Sequence, residues 1–528
     1  MPSSNLTPNH NLYAALASAF PTDRTRIAIE AVDPANPDAI GHGSHGRYTW
    51  DDLERGSAMM ANLLESLQLP AGSRVAVQTE KSVEALMLYL AMLRTGLVYL
   101  PLNTAYRRAE IEYFIGDAEP AVVVCATANF TWVSKIAFKA GTAHVFTLGE
   151  DRSGTLLERA LHHADSHDPV HRERDDLAVI LYTSGTTGRS KGAMLSHGNM
   201  LSNARTLHEL WAWRRDDVLI HVLPVFHIHG LFVAVNGALL AGACMIWFSR
   251  FDPAAVVSRL PEATVFMGVP TLYVRLLAEP GLNRQACSNM RLFVSGSAPL
   301  LLDTFEQFRE RSGHTILERY GMSETVMLTS NPYAPADARR GGTVGFPLPG
   351  VDLRLEGVDP KAGDEIGSIE VHGPNVFAGY WRMPEKTAEA FTIDADGRRW
   401  FKTGDLGRID ADGYITIAGR SKDLIISGGY NVYPAEVEDD LNAMPGVAES
   451  AVIGLPHPDL GEAVTAVLIA RKNATLDTAG IIADMKSRMA GFKVPKQVLL
   501  VEELPRNTMG KVQKNVLRES YGNLYGVS

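Results

Sequence analysis

Cysteine is nearly missing from this chain: Cys125, Cys244 and Cys287 are the only three in 528 residues. They stand far apart, which excludes a disulfide framework and a cysteine-based metal cluster. Buried apolar thiols in a reducing compartment, the cytoplasm, are expected instead. An excess of positive charge is missing as well. The formal net charge is −10, which argues against a nucleic-acid partner and says little about fold. No basic segment followed by an apolar one opens the chain, so no secretory signal is expected, and basic residues are too few there for a transit peptide. Long apolar runs are scarce. Leu231 to Phe248 carries no charge over 18 residues, near the minimum for a spanning helix. Glycines and Asn236 interrupt it, and Pro224, His221, His227 and His229 precede it. It reads as strand, loop, helix and strand inside a core, with no membrane span.

What remains is an ordinary globular composition, 46% apolar and 21% charged, in a chain too long for one core, so at least two domains are expected. Arg74 to Gln78 reads as a strand, Ser82 to Thr95 shows helical spacing, and Ala121 to Cys125 reads as a buried strand. That rhythm predicts parallel sheets covered by helices through the first 350 residues. Near Gly350 the texture changes to short strands with glycine turns, at Val351 to Glu356, Gly367 to Val371 and Gly413 to Ala418, which predicts a β-rich subdomain. Beyond the polar segment Gly419 to Asp423, Val432 to Met444 reads as a helix and Glu449 to Gly454 and Val464 to Ala470 as strands. The expected fold class is α/β, with a large N-terminal domain over residues 1–419 and a small C-terminal domain over 420–528.

The strongest local signal runs from Thr183 through Ser184, Gly185, Thr186, Thr187, Gly188, Arg189, Ser190 and Lys191 to Gly192, directly after the apolar strand Leu177 to Tyr182. Glycines let backbone N–H groups crowd an anion, hydroxyls add donors and the lysine adds mobile positive charge, so the segment suits phosphate. It is not a Walker A loop, because Gly192 rather than Ser or Thr follows Lys191.

This segment resembles the phosphate loop of the adenylate-forming superfamily, which includes acyl-CoA synthetases, peptide-synthetase adenylation domains and luciferases. Further signatures follow in the family's order: Arg319 to Thr325 (RYGMSET), Gly379 to Trp381, Thr403 to Asp405, Gly419 to Asp423, and Pro505 to Lys511 (PRNTMGK). The resemblance implies ATP and coenzyme A as co-substrates and magnesium as the metal. Two anions, a carboxylate and the α-phosphate, must meet, so positioning and charge neutralisation dominate such catalysis. By this resemblance Glu324 ligates the metal, Tyr320 stacks near adenine with Gly321 beside it, Asp405 accepts the ribose hydroxyls, and Arg420 contacts ribose or phosphate. Lys511 is the catalytic lysine, reaching from the small domain to the carboxylate and the α-phosphate. Lys422 stands at the hinge about which the small domain turns after adenylation, and Ser427, Gly428 and Gly429, with Tyr430, then line the thiol's approach. The context of Lys511 also resembles that of regulated lysines, which implies a lysine acetyltransferase as a partner.

The acid is the open question. Pro270 suits a helix start, and Thr271 and Arg275 then share a face. Arginine matches a carboxylate with a two-pronged fork, although an arginine facing solvent or a neighbouring acid fits the pattern equally. The runs Thr79 to Ala85, Tyr99 to Tyr106, Arg291 to Leu301, Tyr380 to Thr387 and Pro505 to Leu517 resemble malonyl-CoA synthetases over nearly the whole chain. That resemblance implies that Arg275 binds the free carboxylate of malonate, with Thr271 and His227 near the pocket, and that methylmalonate is a second substrate. A synthetase for medium-chain or aryl monocarboxylates is the alternative. An adenylation module loading a carrier protein is disfavoured because no carrier-like segment follows Lys511. A binding protein without activity is disfavoured by intact Glu324, Asp405 and Lys511.

Overall fold

A computed structural model describes residues 9–32, 46–183, 190–358, 365–508 and 510–526. Two sheets build the large unit. In the first, the parallel strands Leu177–Thr183, Val98–Pro101, Arg74–Gln78, Val122–Cys125 and His144–Thr147 lie side by side in that order. Lys191–Ser196 folds back antiparallel on Leu177–Thr183 and carries Gly379–Tyr380 at the edge. In the second, Leu317–Tyr320, Leu292–Ser295, Val265–Gly268, Val218–His221, Cys244–Phe248 and Ile27–Val32 run parallel, with short antiparallel strands at both edges. One apolar cluster joins both sheets.

The helix Val83–Thr95 shows how the sequence sets this up. Ser82 caps it by accepting the N–H of Ala85, and Gly96 ends it in a left-handed turn (φ +64°). Every residue from Val83 to Arg94 is buried, as expected of a helix that is apolar all round. The stretch from Leu231 differs from expectation in its first half. His229–Val235 and Asn236–Ala241 are helical, Gly242 turns the chain, and Cys244–Phe248 is the strand. The opening strand lies upstream at Val218–His221, because the apolar residues of 231–241 bury on all sides of a helix rather than alternating. Among the described residues no helix is long and apolar enough to cross a membrane. Desolvation raises all three cysteine thiols, Cys125 to about 12 and Cys244 and Cys287 to about 11, so none is a ready nucleophile.

A third sheet, of antiparallel strands, is the β-rich part: Asp352–Glu356, Gly367–His372, Arg399–Ile409, Phe391–Ile393 and Ile415–Arg420. The segment Gly419 to Asp423 is more regular than its polar composition suggests. Gly419 and Arg420 end that last strand and Ser421–Asp423 forms a short turn of helix. Beyond it, Tyr430–Val432, Ile425–Ser427, Gly461–Ala470 and Val447–His457 pair in order, with Gln497–Leu500 parallel to Gly461–Ala470. The helices Pro434–Asn442, Thr478–Arg488 and Lys514–Tyr521 cover this sheet, which has apolar clusters of its own. The small unit touches the large one through Asn103 Nδ2, which donates to Thr508 Oγ1 at 2.8 Å, and through Arg471 Nη2, 2.9 Å from Asp303 Oδ2.

Candidate active site

Strand ends and the turns after them carry the polar residues. Thr183 and Lys191 face each other across the hairpin that holds the phosphate loop, with Thr183 Oγ1 donating to the Lys191 carbonyl at 3.4 Å. Ser184, Gly185, Thr186, Thr187 and Gly188 lie outside the described residues. Lys191 Nζ stands 4.1 Å from the centre of the Tyr380 ring, and the Tyr380 hydroxyl donates to Glu324 Oε1 at 3.0 Å. Glu324 is buried, and desolvation raises its pKa against the opposing pull of the Tyr380 hydrogen bond, Arg420 and Lys191. Among the described residues no cluster of three metal-ligating side chains occurs. A hard dication shared between one carboxylate and phosphate oxygens needs no such cluster, and Glu324 beside the lysine of the phosphate loop fits that arrangement.

Tyr320 ends the strand Leu317–Tyr320, and Gly321 begins the turn to Glu324. A Cβ on Gly321 would lie 2.0 Å from the carbonyl oxygen of Val326, so the turn closes only around glycine. The Tyr320 hydroxyl donates to Asp405 Oδ2, and Arg420 Nε lies 2.8 Å from Asp405 Oδ1. The bulge pairing Asp405 with Arg420 across two neighbouring strands sets that contact. Lys511 reaches this group from the small unit. Desolvation, followed by the charge of Arg420, lowers its ammonium to about 8 against the attraction of Asp405 and Asp423. Asn507 fixes the loop, accepting the Lys511 N–H at its Oδ1 at 3.0 Å and donating its own N–H to the Lys511 carbonyl at 3.0 Å. Lys422 is exposed in the turn Ser421–Asp423.

A cavity of about 930 Å³ lies between the two units, lined by Asn103, Val225, Thr271 and Arg275 on one side and by Asn507 and Gly510 on the other. The helix Pro270–Ala278 opens with Pro270 in its first turn, and Arg275 falls in its last turn. A Cβ on Gly510 would lie 2.9 Å from Thr271 Oγ1, so the lysine loop rests on the helix that carries Arg275. His227 does not line this cavity. Its Nδ1 accepts the His229 N–H at 3.3 Å, and burial, then Arg319, lowers its pKa to about 4, which keeps the ring neutral with the proton on Nε2. Ser427, Gly428 and Gly429, at the turn of the hairpin Ile425–Ser427 to Tyr430–Val432, lie outside the lining as well.

Arg319 is the residue whose role the sequence left unassigned. It is 3% exposed, and among the described residues its Nε and Nη2 have no hydrogen-bond partner. The guanidinium lies against Gly296 and feels His227, His229 and Tyr273. Burial lowers its pKa to about 9. The available signal was two consecutive charges, Glu318 and Arg319, in a strand buried on both faces. Tyr380 was seen as part of a motif, without the contact to Glu324.

A family model described as AMP-binding enzyme matches residues 24–381, and one described as AMP-binding enzyme C-terminal domain matches residues 436–511. A mitochondrial malonate–CoA ligase of Bos taurus is 36% identical over 90% of this chain and 87% of its own length. A malonate–CoA ligase of Arabidopsis thaliana is 35% identical over 86% and 78%. A feruloyl-CoA synthase from Amycolatopsis is 34% identical over 96% and 99%. The crystal structure of ATP-bound MatB from Rhodopseudomonas palustris is 51% identical and covers 98% of this chain and 100% of its own, with a TM-score of 0.91; the same protein in its apo form scores 0.81.

Proposed function

The chain belongs to the AMP-binding enzymes, with the adenylate-forming fold, and from that premise we propose that it joins malonate to coenzyme A at the cost of ATP. It is an AMP-forming acid–thiol ligase. The carboxylate oxygen attacks the α-phosphorus, the bond to the bridging oxygen breaks and pyrophosphate leaves. The CoA sulfur then attacks the acyl carbon and AMP leaves with the carboxyl oxygen, giving malonyl-CoA.

One observation supports malonate over a monocarboxylate: two guanidinium groups, Arg275 and Arg319, make no ion pair among the described residues. Arg319 is buried, and a buried cation without a counter-ion costs several kcal/mol; an acid with a second carboxylate supplies the missing charge, with Arg275 exposed to the cavity it lines. A medium-chain or aryl monocarboxylate leaves both cations unmatched. Methylmalonate is the second substrate, since one methyl group is worth only about 1–3 kcal/mol of discrimination. Thr271, beside Arg275, and neutral His227, beside Arg319, complete the acid site.

In this reading Thr183 to Gly188 and Lys191 cradle the phosphates, Tyr320 and Gly321 meet the adenine, and Asp405 exchanges its present partners for the ribose hydroxyls, with Arg420 alongside. Lys511 stabilises the charge that develops as carboxylate and α-phosphate join. Magnesium would be held by Glu324 and would supply neutralisation of the phosphate charge. The chain divides at 419/420 into an adenylating unit and a mobile unit, with Lys422 as hinge, and rotation would carry Lys511 away and bring Ser427, Gly428 and Gly429 toward the thiol. The higher TM-score against the ATP-bound relative fits the adenylating arrangement. The three cysteines are free and lie far apart, as suits a reducing compartment, and we place the enzyme in the cytoplasm. Because the lysine works through its charge, a lysine acetyltransferase acting on Lys511 would silence the first step. Unchanged pyrophosphate release from protein stoichiometrically acetylated there would refute that.

The deciding experiment is pyrophosphate release with malonate, methylmalonate, succinate, acetate, octanoate and benzoate, for wild type, Arg275→Ala and Arg319→Met. Release with malonate is expected to fall at least about a hundredfold in Arg319→Met, since truncating one partner of a buried charge pair costs about 3–5 kcal/mol, and to fall by less in Arg275→Ala, whose side chain is exposed. Release with octanoate or benzoate, indifferent to both substitutions, would overturn the choice of acid.

A further inference from the structure

Two more cations line the cavity, and the reading above assigns neither of them to ATP or to the acid. Lys81 lies in the turn between the strand Arg74–Gln78 and the helix Val83–Thr95, and Arg250 in the turn after the strand Cys244–Phe248, so both stand at the carboxyl ends of parallel strands. Lys81 Nζ donates to the His221 carbonyl at 2.9 Å and stands 4.5 Å from the centre of the Trp247 ring. The His221 ring stacks on the same indole, with centroids 4.5 Å apart and planes 10° from parallel. A carbonyl and an aromatic face thus hold the ammonium, and desolvation lowers its pKa well below the ordinary lysine value. Among the described residues neither Lys81 nor Arg250 forms an ion pair. Of the three carboxylates in the lining, Arg506 takes Glu449, burial together with Glu150 raises the pKa of Glu80, and Glu503 belongs to the small unit.

The charges of the first two substrates are matched elsewhere. Tyr320, Glu324, Asp405 and Lys191 lie outside this lining, and the two carboxylates of the acid meet Lys511 at one end and Arg275 with Arg319 at the other. The third substrate carries phosphate groups at the end away from its thiol. Resting on the reading above, we propose that Lys81 and Arg250 form the docking point on the large unit for the phosphate groups of coenzyme A. A charged hydrogen bond of this kind is worth about 1.5–3 kcal/mol, or roughly tenfold and more in affinity. The site belongs to the large unit, so it stays in place while the small unit turns.

Two assays separate the possibilities: malonate-dependent ATP–pyrophosphate exchange without CoA, and thioester formation with CoA or with pantetheine, which has the thiol arm and no phosphate. Lys81→Gln and Arg250→Gln are expected to raise the KM for CoA about tenfold and to leave the KM for pantetheine and the exchange rate unchanged. An equal rise for CoA and pantetheine, an unchanged KM for CoA, or a fall in exchange would each overturn the docking point. If wild type gives no malonate-dependent exchange, the reading of the acid fails instead. The CoA and pantetheine comparison then runs with whichever acid supports exchange, and the docking point is judged on the same outcomes.

Discussion

Lys511 combines two properties that pull against each other. The role proposed for it needs the ammonium, yet desolvation and Arg420 lower its pKa to about 8. Protonated below that value and neutral above it, the lysine should lose its effect as pH rises through 8. The adenylation kcat/KM, which reports the free enzyme, is therefore expected to fall tenfold per pH unit above an inflection near 8. Lys511→Ala is expected to remove that inflection and to lower exchange by about 10²–10³, the range for deleting one preorganised stabilising group. A pH profile identical in wild type and Lys511→Ala would refute the assignment. Lys511 became a candidate because six flanking residues form a pattern. Arg319 did not, because its meaning lies in what surrounds it: Gly296, His227 and His229 come from other strands and turns, and no local spacing announces a missing counter-ion.

At the scale of elements, the contact between the helix Leu302–Ser312 and the strand Gly461–Ala470 sets a balance. Arg471, just past that strand, meets Asp303 in the first turn of that helix, with both side chains about half exposed. Exposed pairs are worth about 0.2–1 kcal/mol, so the pair biases the arrangement of the units without locking it. Asp303→Asn is expected to slow the adenylation half-reaction by no more than about fivefold and to speed thioester formation from preformed adenylate. Single-turnover measurement of both half-reactions checks this, and equal changes in the two would count against it. Elements themselves were readable where the apolar period was clean. Arg74–Gln78 appeared as expected, and the helix expected from Ser82 to Thr95 began one residue later because Ser82 is its cap. The strands Val447–His457 and Gly461–Ala470 ran longer than expected, because their mutual pairing continues past the apolar runs into polar ends. The run from Leu231 misled for the opposite reason: with no polar residues to mark a face, apolarity alone does not separate helix from strand.

At the scale of the molecule, the sequence announced two units and the order of the motifs, and separate family models match residues 24–381 and 436–511. It could not announce how the units meet. Asn103 and Thr508 are 405 positions apart, and their hydrogen bond follows from the closure of three sheets rather than from any period. That meeting has a consequence for fidelity. One wall of the 930 Å³ cavity is a loop of the small unit, with Gly510 resting on Thr271, so this chamber exists only while the units are joined this way. If the acid is measured there, as proposed, withdrawal of the loop would dismantle the gauge. A wrongly sized acid that slipped through the first step would then meet no second inspection by the same wall before the thiol arrives.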